Sequence, residues 1–368
     1  MKETLKYLDA VIDLRQEKKV RHLMKDIIAI VFLALLANAD EWVTMEIFAK
    51  EHEDFLCEYL ELPNGIPSHD TIERVFASVS PEFLTKFKNE WNEMLNSGEG
   101  EKIRKILAID GKTERGNGNK TRKPNHIVGA VDENGISLSE KLVDEKTNEI
   151  KAVPELLDDL NIAGHIITTD AMSCQKEIVN KIRKKRADYV IALKGNQGTL
   201  HEDIELYFSD SELLKKFDYF KTTEKARSGI EKREYWQTTD VSWLPQIRDW
   251  KGLRSIILTR NTIIKDGKET TNTRYFISSL PLDVQEAVRA IRRHWMVESY
   301  HWHLDVTFRE DSNRTLEKQA AFNLSIMRRL ALNVLKIVDL GKKMLSVRMK
   351  RFSIGTNPEK HLSAILSL

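Results

Sequence analysis

The sequence predicts an α/β protein: a mixed sheet flanked by helices, with a β-rich insertion and an α-helical N-terminal domain. Three observations predict it. Residues 1 to about 100 carry apolar side chains at helical spacing. From Lys105, apolar runs of strand length alternate with helical stretches. Residues 198–282 then hold four more strand-like runs before helical spacing resumes.

Within the first part, Ile27–Ala37 is apolar all round and reads as a buried helix, too short for a membrane span of about 20 residues. Helical spacing follows over 41–62 and 70–96, broken at Pro63-Asn64-Gly65, with Asp70 as a cap and Glu73 three residues on. The stretch 94–101, MLNSGEGE, reads as a linker. A strand over Ile106–Ile109 ends in Asp110. Two alternating runs, His126–Val131 and Ile136–Val143, flank Asp132-Glu133-Asn134-Gly135, a hairpin signal. Next come a helix over 153–160, a strand over Ile166–Thr169 ending in Asp170, a helix over 174–186 and a buried strand, Tyr189–Leu193. The order β-β-β-α-β-α-β, opening on an antiparallel trio, is RNase H-like. The insertion starts with a helix around 200–208 and has strands at 218–223, 233–238, 254–260 and 273–279. Helices over 283–308 and 313–338 follow. The chain thus divides into 1–100, a core begun over 101–197, an insertion over 198–282, and a last core segment with basic helices over 283–368.

The composition, 41% hydrophobic and 31% charged, is that of a folded chain and argues against disorder. The net charge is only 58 − 56 = +2, but basic residues cluster. Lys102, Arg104, Lys105, Lys112, Arg115, Lys120, Arg122 and Lys123 form one group; Arg328, Arg329, Lys336, Lys342, Lys343, Arg348, Lys350 and Arg351 form another. Such local fields suit a polyanion. Cys57 and Cys174 have no metal-ligand spacing, which argues against structural zinc or a disulfide framework. The N-terminus has no apolar signal region, so a cytoplasmic, nucleoid-associated protein is expected.

An Asp just past a strand is commonly a turn former or helix cap. Two of them in one α/β unit, with a third acid on a later helix, read instead as a site, because catalytic groups gather at strand ends. The third acid is Glu298; a continuous helix places His294, Glu298, His301, Trp302 and Asp305 on one face. Glu310 and Asp311 are rival acids. Three carboxylates are hard ligands that select Mg²⁺ or Mn²⁺, and two such ions suit in-line phosphoryl displacement. A zinc site from His294, Glu298 and His301 is the alternative, though H-E-x-x-H spacing is missing.

LAIDGKTERG (107–116), HIVGAVDENG (126–135), LVDEKTNEI (142–150), TTDAMSCQKEI (168–178), DYVIALKGNQ (188–197), RYFISSL (274–280) and HWMVESYHWHLDVTFRED (294–311) together resemble the DDE insertion-sequence transposases, in the group of the H-repeat-associated proteins. PSHDTIERVF (67–76) is similar to part of the helical domain that accompanies them. The resemblance spans nearly the whole chain. It implies an RNase H-like core in which Asp110, Asp170 and Glu298 hold two Mg²⁺ or Mn²⁺ ions. It also implies hydrolysis at the terminal inverted repeats of an element, attack of the freed 3′-OH on target DNA, a homodimer on double-stranded DNA, and end binding by the N-terminal domain. A nuclease without strand transfer and a decayed DNA-binding descendant are the other readings.

Broader relatives show a Tyr, Arg, Glu, Lys series on the last catalytic helix. Here the Arg position is His294 and the Lys position is Asp305, so Arg292, Arg293 or Arg309 is expected to supply the cations. Lys112, Lys194, Asn196 and Gln197, close to the acid-bearing strands, are further candidates for DNA phosphates. Lys181, Arg183, Lys184, Lys185 and Arg186 read as helix C-terminal cations, and Trp236, Trp243 and Trp250 as core aromatics.

Overall fold

The computed structural model describes residues 5–96, 105–143, 149–226, 229–341 and 344–367. Most of the expected linker, Lys102, Arg104, Lys342, Lys343 and the middle of the 142–150 motif lie outside the described residues.

Ahead of the sheet come α1 (Met24–Leu36), α2 (Trp42–Glu51), α3 (Glu53–Cys57), α4 (His69–Ala77) and α5 (Pro81–Asn96). Apolar on every side, α1 is enclosed from Ile27 to Leu36. The cap of α4 is Ser68 rather than Asp70: Ser68 has extended backbone and its hydroxyl meets Thr71 Oγ1 at 3.1 Å. Asp70 falls in the first turn, where its charge still suits the helix dipole. The stretch 70–96 is two helices, because Pro81, with no N–H to donate, starts a new one.

The strands are β1 (Ile106–Thr113), β2 (His126–Asp132), β3 (Ser137–Leu142), β4 (Ile166–Thr169), β5 (Asp188–Leu193), β6 (Asp218–Ala226), β7 (Gly229–Thr238), β8 (Ser255–Lys265) and β9 (Lys268–Ser278). They form one sheet in the order β3-β2-β1-β4-β5-β9-β8-β7-β6. The β2–β3 turn closes through Gly135, whose φ of 77° suits a residue without Cβ, and whose N–H donates to the Asp132 carbonyl at 2.8 Å. β1 and β2 run antiparallel; β1, β4 and β5 run parallel. Helices α6 (Glu149–Asp159) and α7 (Lys176–Lys184) cover one face, packing Leu156, Ile178 and Ile182 with Leu107, Ile109, Ile167 and Ile191. This mixed sheet between helices is RNase H-like. The strands of 198–282, preceded by α8 (Gly198–Ser209) and α9 (Ser211–Leu214), build no sheet of their own. β9 pairs with β5, from Val190↔Ser278 to Leu193↔Tyr275, and prolongs the same sheet.

On the opposite face lies α10 (Val284–His294), with Ala287, Ala290 and Ile291 against Ile106, Ile166 and Val190. The expected single helix over 283–308 is broken. A tight turn at Trp295, with Trp295 N–H to Arg292 O and Glu298 N–H to Trp295 O, starts α11 (Met296–Trp302). A π-helical turn, His303–Thr307, ends it. After a 3₁₀ turn (Glu310–Ser312) come α12 (Lys318–Ile337), α13 (Val347–Thr356) and α14 (Pro358–Leu366). The 20-residue α12 shares one apolar core with α1, α4, α5 and the sheet residues Ala108, Ile127 and Val131. Buried polar bonds sew these parts together: the Asn323 side chain donates to the Phe76 and Val79 carbonyls at 2.8 Å each, and Trp42 Nε1 to Thr315 Oγ1 at 2.9 Å.

Four of the eight C-terminal basic residues face the core rather than solvent, while Arg348 is exposed. Arg328, Arg329, Lys350 and Arg351 are buried. Arg351 pairs with Asp40 and donates to the Leu35 carbonyl, Arg329 pairs with Glu310, and Lys350 donates to the Leu335 and Val338 carbonyls. Such cations satisfy buried acceptors instead of seeking phosphate.

Candidate active site

Because Ile109 stands opposite Thr169 in the parallel β1–β4 pair, the next residues, Asp110 and Asp170, leave neighbouring strands side by side. Asp170 follows its strand, as expected, whereas β1 runs on through Asp110 to Thr113, with Asp110 paired to Gly129 of β2. The loop after Asp170 folds back so that the Ser173 N–H donates to Asp170 Oδ1 at 3.2 Å. Helix α11 supplies Glu298, exposed to solvent.

Burial, reinforced by the negative charges of Asp170, Glu149 and Glu298, pushes the Asp110 carboxyl up to about 7, against the Gly111 N–H, which favours its ionised form. Three acids therefore act on Asp110 across this edge of the sheet. Among the described residues, no three His, Cys, Asp or Glu side chains are grouped closely enough to hold an ion. The carboxylates lie near enough to act on Asp110 without closing into a coordination shell. Their all-oxygen donor set and uncompensated charge at Asp110 fit a hard divalent cation.

Neither histidine joins Glu298 in a zinc site. His294 Nδ1 meets Thr168 Oγ1 at 3.1 Å and His301 Nδ1 stands 3.7 Å from Asp110 Oδ2. Burial pushes both imidazoles down to about 4, so both are neutral at pH 7.

The candidate DNA contacts divide sharply. Lys112 is enclosed, its Nζ 2.7 Å from Asp305 Oδ1, 3.2 Å from Glu310 Oε2 and 3.2 Å from Asp311 Oδ1, and is not open to a phosphate. Asn196 and Gln197 turn inward, donating to the Ala171 and Cys174 carbonyls at 2.7 and 2.6 Å; they pin the loop that carries Asp170. Lys194 is exposed just beyond β5. Arg292 reaches Glu224 at 3.1 Å, Arg293 lies 3.9 Å from Glu133, and Arg309 is exposed in left-handed backbone (φ 52°).

Sequence reasoning missed Glu149. Its Oε1 lies 2.5 Å from His126 Nε2, and His126 Nδ1 lies 2.8 Å from Thr113 Oγ1. The pair covers Gly111: a Cβ there would lie 2.6 Å from Glu149 Cδ and 2.8 Å from His126 Nε2, so a side chain beside Asp110 would push the pair aside. Also missed was Glu114, wholly buried and pushed up to about 8 by that burial and by Glu310. The period of two along a strand puts Asp110, Lys112 and Glu114 on one face, and was the available signal.

Sheet order and helical layers define an RNase H-like protein with one acid within a strand and another just past its parallel neighbour. Residues 101–334 match the family described as Transposase DDE domain, and residues 5–92 match the one described as DDE_Tnp_1-associated. The chain belongs to this family of insertion-sequence DDE transposases, in its H-repeat-associated group. It is 38% identical over 366 residues to “Putative transposase YncI” of Escherichia coli O157:H7, covering 96% of this chain and 92% of that protein. It is 35% identical over 378 residues to “H repeat-associated putative transposase YhhI” of Escherichia coli K12, covering 100% and 98%. A shorter K12 relative, “Inactive transposase YbfQ”, is 39% identical over 75 residues, 20% of this chain and 89% of that protein.

Proposed function

We propose that the chain is an active DNA transposase that hydrolyses phosphodiesters at the ends of its element and joins the freed 3′-OH to target DNA. The observation that carries this reading is the adjacency of Asp110 and Asp170 on neighbouring parallel strands with the Glu298 helix beside them. Asp110, Asp170 and Glu298 would hold Mg²⁺ or Mn²⁺, two ions in all. When bound, such ions make a water or sugar hydroxyl nucleophilic at neutral pH and stabilise the departing oxygen.

The chain's own groups prepare that site. Neutral His301 orients the Asp110 carboxylate without competing for it as a cation. Asn196 and Gln197 hold the Asp170 loop at both ends. Exposed Lys194 and Arg309, with Arg292 and Arg293 of α10, meet phosphate oxygens. Double-stranded DNA, as terminal repeats and as target, is the partner; two ends held together call for a homodimer on DNA. The N-terminal helices contribute to end binding.

The test uses purified protein, the DNA flanking its gene, and Mg²⁺ or Mn²⁺. The expected result is metal-dependent nicking at discrete ends and joined products with target DNA, both abolished in Asp110→Ala, which still binds the ends. Cleavage by Asp110→Ala equal to that of the unsubstituted protein overturns the reading. Nicking without joined products makes the protein a nuclease.

A further inference from the structure

We propose that Lys112 is a positioning residue: from the strand of Asp110 it clamps the turn that ends the Glu298 helix, fixing the two acids relative to each other. Lys112 lies two residues beyond Asp110 on the same face of β1, and its side chain is only 6% exposed. Its amine meets three carboxylates from one segment, Asp305 in the π-helical turn and Glu310 and Asp311 in the 3₁₀ turn behind it.

Further contacts lace the same two pieces of chain. Asp311 Oδ1, besides accepting from Lys112, accepts from the Arg115 N–H at 3.2 Å. Gly116 passes so close that a Cβ would lie 2.6 Å from the Asp311 carbonyl oxygen. Glu310 carries the tie onward, its second oxygen 3.1 Å from the Arg329 guanidinium on α12. The seam therefore runs from β1 through the turn into the central helix of the core. It leaves the amine surrounded by acid, a place where a phosphate would be repelled. Asp305, at the position where a lysine was expected, serves here as a counter-ion of Lys112. A π-helical turn shifts side-chain phase by a residue and often marks a functional site; here it aims Asp305 at Lys112.

The activity arm of the test rests on the proposed transposase function; the exchange arm does not. Amide hydrogen exchange is followed in the unsubstituted chain, Lys112→Met, Lys112→Arg and Asp305→Asn. In Lys112→Met, exchange over residues 296–307 rises by about tenfold or more, while α1 and α5 are unchanged. Asp305→Asn, which keeps the lysine and its other two partners, gives a smaller rise in the same residues, and Lys112→Arg restores protection. With end DNA and Mn²⁺, Lys112→Met loses about 10–100-fold in single-turnover cleavage rate at unchanged DNA affinity. Unchanged exchange over 296–307 in both Lys112→Met and Asp305→Asn overturns the clamp. So does a weakened DNA affinity with a salt slope reduced by about one, the mark of a phosphate contact. If no protein cuts DNA but exchange changes as expected, the clamp stands and the transposase reading fails.

Discussion

His301 brings its Nδ1 to 3.7 Å from Asp110 Oδ2, so the helix that carries Glu298 also reaches the carboxylate of another strand. Groups that orient a ligand without being one typically affect metal affinity or rate by about 10–100-fold. We predict a loss of that size for His301→Ala in Mn²⁺-dependent cleavage. The check is a metal titration of the cleavage rate, in which the half-saturating Mn²⁺ concentration rises while DNA affinity does not.

Two half-buried imidazoles set a pH dependence of stability. His294 and His301 are pushed down to about 4 by burial, below the usual value near 6.5. Between those values the unfolded chain holds protons that the folded chain does not, so stability rises with pH across the window and falls on acidification from pH 6.5 towards 4. Each histidine contributes a slope of up to about 1.4 kcal/mol per pH unit. Urea unfolding at pH 5 and pH 7 should show a smaller difference in His294→Asn than in the unsubstituted protein.

Lys88 of α5 and Glu140 of β3 form an ion pair with both side chains fully enclosed. Removing one partner strands a buried charge, which is destabilising by about 3–5 kcal/mol, whereas replacing both with apolar groups restores most of it. Lys88→Met should therefore unfold at markedly lower urea, and Lys88→Met with Glu140→Leu should recover.

Asn196 and Lys194 lie two residues apart and should behave oppositely. Asn196→Ala frees the Ala171 carbonyl and loosens the Asp170 loop, lowering the cleavage rate at saturating DNA with affinity intact. Lys194→Ala, from an exposed position, should weaken DNA binding and reduce its salt slope by about one. Anisotropy titrations at several salt concentrations separate the two.

The sheet was legible because its order is written in local pattern: runs of strand length, a hairpin signal at Asn134-Gly135, and acids at strand ends. Topology was less legible where one sheet grows from distant pieces. Nothing local in Tyr275–Ser278 says that it pairs with Val190–Leu193. The misreading of Arg328, Arg329 and Arg351 has a different cause, since counting charge says nothing of burial. The signal was the company they keep: Arg328 and Arg329 interrupt a helix buried along nearly its whole length. At the site, helical spacing continues through Trp295, so sequence could not reveal the break there. Lys112 was read as a candidate for DNA phosphates because a partner such as Asp311 lies 199 residues away in sequence.

The helix Met24–Leu36 is wrapped by a helix made some 300 residues later. During synthesis this greasy segment meets α2, α4 and α5 early, but the rest of its cover waits for most of the polypeptide, a longer exposure to aggregation. A chain cut short before Lys318–Ile337 would therefore keep its first helices but leave one side of Met24–Leu36 bare to water.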